Sequence, residues 1–93
     1  MVEQNVLEDR PRNVVARFEL AAPRMVDEWL AAGTMHVSAA EMCIAQEFLE
    51  QAGLTVERTI GARVRIVNRQ GHAEEISRED AVMMALRRLA MRA

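Results

Sequence analysis

Lysine and tyrosine are absent from this chain of 93 residues, cysteine and tryptophan occur once each, and two phenylalanines complete the aromatic set. Each shortage excludes something. One cysteine, Cys43, cannot form an internal disulfide, so no cross-linked framework supports the fold. So few aromatic rings cannot build a base-stacking platform for RNA. The longest apolar runs, such as Ala81 to Leu86, are far too short to span a bilayer. No hydrophobic signal segment follows Met1, and the combination points to the reducing cytoplasm. With no lysine, all twelve basic residues are arginine. Together with the abundance of alanine, this suggests a GC-rich genome, that of a bacterium or one of its phages.

Hydrophobic residues make up 51% and charged residues 28% of the chain, the balance of a globular protein. The length allows one domain, which buries roughly 60–65% of the surface its unfolded chain exposes. Net charge is −2, but it is unevenly spread. Residues 1–50 carry nine acids against four arginines, and residues 51–93 carry five acids against eight.

Residues 1–12 lack periodicity and read as a flexible N-terminal tail, leaving 13–93 as a single compact domain. Val14, Ala16, Phe18 and Leu20 alternate with polar neighbours, which predicts a strand over 13–20. Pro23 suits the first position of a short helix that stops at Gly33. Ser38-Ala-Ala-Glu41 is a capping box and opens a second helix running to Ala52, with Gly53 as its C-terminal glycine. Ile44, Ala45, Phe48, Leu49 and Ala52 form its inward stripe. Strands follow at 54–60, with Leu54, Val56 and Ile60 facing in, at 62–69 and at 72–76, with a turn at Gln70-Gly71. Ser77 caps a last helix that reaches the C-terminus. The expected fold is α+β: a small antiparallel sheet of about four strands with three helices packed on it, in the order β-α-α-β-β-β-α.

No phosphate-binding glycine loop, nucleophile elbow, paired-cysteine motif or His-Glu-x-x-His occurs. Cys43 falls on the polar side of its helix between Glu47 and Glu50, where carboxylates disfavour a reactive thiolate. His36, Glu41 and Cys43 match no metal-ligand spacing, and His72 sits beside a turn. Glu74 and Glu75 point to opposite faces of a strand, while Glu79 and Asp80 suit the first turn of a helix. The chain reads as a non-enzyme with no catalytic residue, metal site or cofactor.

Two features stand out. Arg63, Arg65 and Arg69 alternate along one strand, with Arg58 on its neighbour. The run from Ala52-Gly-Leu through Ala62-Arg-Val-Arg-Ile-Val-Asn-Arg-Gln-Gly71 resembles the end of a winged-helix domain, where a helix closes at Gly-Leu and a basic hairpin forms the wing. That resemblance implies a DNA-binding regulator using Arg58, Arg63, Arg65 and Arg69. It does not extend to a separate recognition helix, because 38–52 reads as one helix exposing Gln46, Glu47, Glu50 and Gln51. The second feature is the last helix. Val82, Ala85, Leu86 and Leu89 form its inward stripe, with Met83 at the edge. Met84 and Met91 fall on the opposite side beside Arg87 and Arg88. Large apolar side chains there suit a face that packs against another protein. Met84, Arg87, Arg88 and Met91 therefore define a partner-binding surface, and the expected function is a small regulator, adaptor or inhibitor acting through protein–protein contact as a homodimer. Nucleic acid is the alternative partner.

Overall fold

The computed structural model describes residues 2–92, with side chains for residues 14–92. Two helices come first, α1 (Val2–Ala32) and α2 (Ala39–Gln51). Three strands follow, β1 (Thr55–Arg58), β2 (Arg63–Val67) and β3 (Ala73–Ser77), and α3 (Arg78–Arg92) closes the chain. The class is α+β, in the order α-α-β-β-β-α. The strand expected at 13–20 is instead part of α1, so the sheet has three strands. The tail expected at 1–12 lies outside the residues whose side chains are described.

The burial pattern explains the conversion of that strand. Phe18, Ala22 and Met25 are buried, with Val14, Val15, Ala21 and Trp29 packed against the core. These positions recur every three or four residues, the period of a helix. The alternating reading required Leu20 to face inward, yet Leu20 is 73% exposed. Pro23 lies inside α1 and not at its start. An internal proline removes one backbone hydrogen bond. Both Pro23 and Glu19, whose carbonyl loses its donor, are exposed, so water can take that place.

Signals at the helix ends are realised more directly. At the start of α2 the Glu41 amide donates to Ser38 Oγ at 3.1 Å, and the Ser38 amide donates to Glu41 Oε1 at 2.9 Å. At its end the Gly53 amide donates to the Glu50 carbonyl and the Leu54 amide to the Leu49 carbonyl. That pair of bonds requires a left-handed residue at Gly53, which has φ 102°. Ser77 Oγ accepts from the Asp80 amide at 3.0 Å and caps α3.

The sheet is an antiparallel meander in the order β1-β2-β3. Val56 pairs with Ile66 and Val64 with Ile76, so one face is apolar. α2 packs against β1, and α3 against β2 and β3, on that face. α1 packs on α2, while among the described residues α2 and α3 supply the main cover of the sheet. Phe18 of α1 stacks on Phe48 of α2 with ring centroids 4.7 Å apart. Met42, Ala45, Phe48 and Leu49 form the buried side of α2, and Ala81, Val82 and Ala85 that of α3. Ile60 was expected inside. It lies in the β1–β2 turn and is 99% exposed, because pairing ends at Arg58.

The capping box predicts that Ser38→Ala lowers stability by about 1 kcal/mol. Chemical denaturation should show a lower midpoint with an unchanged slope.

Candidate surface on the last helix

α3 is buried on one side only. Leu86, Leu89, Met83 and Met84 are partly covered, Arg87 and Arg88 are exposed, and Met91 is 83% exposed. The side chains of Met84, Arg87, Arg88 and Met91 come together with those of Glu74, Ile76, Asp80 and Met83 along an open groove of about 490 Å³. The groove runs between α3 and β3, an edge strand of the sheet. Arg88 and Met91 also line a second hollow of about 310 Å³ with Val15, Phe48 and Ala52. The last turns of α3 thus form a ridge between a groove of mixed apolar and charged lining and a smaller, more apolar hollow. Sequence reasoning found the methionines and arginines of this ridge. It missed Asp80, one helical turn before Met84, and also Glu74 and Ile76, which the strand-to-helix turn at Ser77 brings alongside.

The hairpin arginines are distributed differently from the common face expected of them. Arg63 and Arg65 share the outer sheet face, where β2 register sets Arg65 between Glu57 and Glu75. Arg63 Nε pairs with Glu75 Oε1 at 3.2 Å and its Nη2 donates to the Glu75 carbonyl, while Arg65 lies 3.9 Å from Glu57 Oε1. All four side chains are about half exposed, so each pair contributes under about 1 kcal/mol. Arg58 turns toward α2, donating to Gln46 Oε1 at 3.3 Å and Cys43 Sγ at 3.0 Å. Cys43 is exposed, as its place on the polar face suggests. Its hydrogen-bonding neighbour is this guanidinium and not the carboxylates expected beside it. Arg69 lies over the end of α2, so close that a Cβ on Gly53 would fall 2.5 Å from its Nε and Nη2. A guanidinium there complements the negative end of the helix dipole.

The outward side of α2 carries Glu47, held by Arg17 at 2.7 Å, and Glu50, which accepts from Gln46. Among the described residues, no cluster of three or more histidine, cysteine or acidic side chains could hold a metal ion. The acidic pairs are also separated: Glu75 joins Arg63 on the outer face, whereas Glu74 lines the α3 groove. Among the described residues, no helix is long and apolar enough to cross a membrane. Comparison with known protein families, characterised proteins and solved structures returned no match.

Gly53→Ala and Gly61→Ala both force an L-residue to positive φ, at about 1–2 kcal/mol. At Gly53 the added methyl also displaces the exposed Arg69 guanidinium, which can swing away, whereas Gly61 has nothing within 4 Å. Denaturant melts should show both variants destabilised by similar amounts, set by the backbone.

Proposed function

We propose that this protein is a non-enzymatic regulator or adaptor that works by binding protein through the methionine–arginine ridge of α3. The observation that carries the reading is the exposure of Met91, 83%, where it lines both a mixed apolar and charged groove and a smaller, more apolar hollow, beside two arginines. Methionine adapts its shape to a partner, and arginine offers bidentate contacts to carboxylates. Among the described residues neither Arg87 nor Arg88 is held in an ion pair. The partner implied by this chemistry is an amphipathic segment with an apolar centre and an acidic flank.

The winged-helix alternative has less support. Its four arginines make contacts inside the chain, with Glu57, Glu75, Gln46, Cys43 and the end of α2. DNA affinity depends on cations free to displace counterions from phosphate. The exposed side of α2, which precedes the hairpin, is acidic.

Met91→Glu tests the reading without touching the core. Used as bait in a nuclease-treated host extract, the native protein should retain partners that Met91→Glu loses, while the two proteins give the same circular dichroism. Identical capture by both baits would contradict it. Retention only through nucleic acid, lost in Arg63→Ala/Arg65→Ala, would favour the wing.

A further inference from the structure

If α3 is a binding face, as proposed above, the pattern of its own side chains indicates what occupies it. Asp80, Met84, Arg87 and Met91 recur at i, i+4, i+7 and i+11, the spacing of a coiled-coil seam. This seam lies on the side of α3 away from the buried Val82 and Ala85, with Asp80, Arg87 and Met91 exposed on it and Met84 partly covered by its own fold. Charge changes sign along it. Asp80 stands at the N-terminal end, Arg87 and Arg88 at the C-terminal end, and Met84 between them. Asp80 is exposed, and among the described residues it too is held in no ion pair.

A stripe ordered acid–apolar–base is complementary to itself when turned end for end. We propose that α3 pairs with α3 of a second copy of this chain, antiparallel, about a two-fold axis at Met84. The axis places Asp80 of each copy beside Arg87 and Arg88 of the other, and sets Met84 against Met84. Met91 then reaches the Ser77 end of the opposite helix. A two-fold contact makes every one of these interactions twice. A parallel pair would instead oppose arginine to arginine and aspartate to aspartate, which repel. The helix spans about 22 Å, so the contact is smaller than the roughly 1,200 Å² of a standard interface. A contact of this size belongs with the small, transient interfaces.

The purified full-length protein provides the test. Under mild oxidation, Cys43→Ser/Met84→Cys should form a cross-linked dimer, because residues facing one another at a two-fold axis come within disulfide range. Cys43→Ser/Met91→Cys should stay uncross-linked, since its two thiols lie about 21 Å apart along the helix axes. In sedimentation experiments, Asp80→Arg alone and Arg87→Asp/Arg88→Asp alone should each weaken self-association by about tenfold or more. Mixing the two variants should restore a heterodimer, with folding monitored by circular dichroism. Cross-linking of the Met91→Cys protein, no recovery on mixing, or a monomeric native protein at about 1 mM would overturn the antiparallel dimer. A monomer that still binds host protein through Met91 removes only the second copy as occupant. Loss of Met91 dependence in the host experiment instead removes the binding face itself.

Discussion

Burial of α2 is the constraint on which the remaining structure depends. Every layer meets it: α1 on one side, α3 alongside, and β1 beneath. Phe48 stacks on Phe18, while Met42, Ala45 and Leu49 complete a continuous cluster with Val56, Val64 and Val82. Both ends of α2 are fixed by local hydrogen bonds, at Ser38 and Glu41 before it and at Gly53 after it. Those bonds set where the chain enters and leaves the helix. The sheet can then start one residue beyond Leu54, with its apolar face toward the core. A chain of this size has little surplus stability, so a single well-terminated central helix carries disproportionate weight.

A second consequence concerns where function can reside. Among the described residues the core contains no buried polar or charged side chain. The described polar and charged side chains are all at least partly exposed, beside exposed apolar groups. Exposed apolar groups are not confined to α3. Leu20 and Leu30 of α1 are 73% and 76% exposed. Single exposed leucines are ordinary on protein surfaces. What sets α3 apart is the grouping of Met91 with Met84, Met83 and Ile76 in one groove, with arginines at its margin.

Much of this arrangement was legible in the sequence wherever a local hydrogen-bonding device marks it. The capping box at Ser38, the left-handed glycine at Gly53 and the serine cap at Ser77 placed two helices and three strands close to their observed bounds. The first 32 residues were harder, because their pattern satisfies two periods at once. Val14 and Phe18 are four apart, a spacing shared by alternate strand positions and by successive helix turns. Only the continuation through Ala22, Met25 and Trp29 separates the two, and Pro23 obscured it by imitating a helix start. The surface divides in the same way. The methionine–arginine ridge follows from helical period alone, so its residues could be named in advance. The contacts of the hairpin arginines depend on strand register and on the turn that carries Arg58 back to α2. Neither is encoded in spacing along the chain.

The proposed association surface is the Met84–Met91 face of α3, whereas Met25 and Met42 lie in the core. Methyl-selective NMR of labelled methionines across a dilution series measures this directly. The Met84 and Met91 signals should move with concentration while those of Met25 and Met42, which are 2% and 1% exposed, stay fixed. Methionine signals that are all independent of concentration, or shifts confined to residues away from α3, would contradict it.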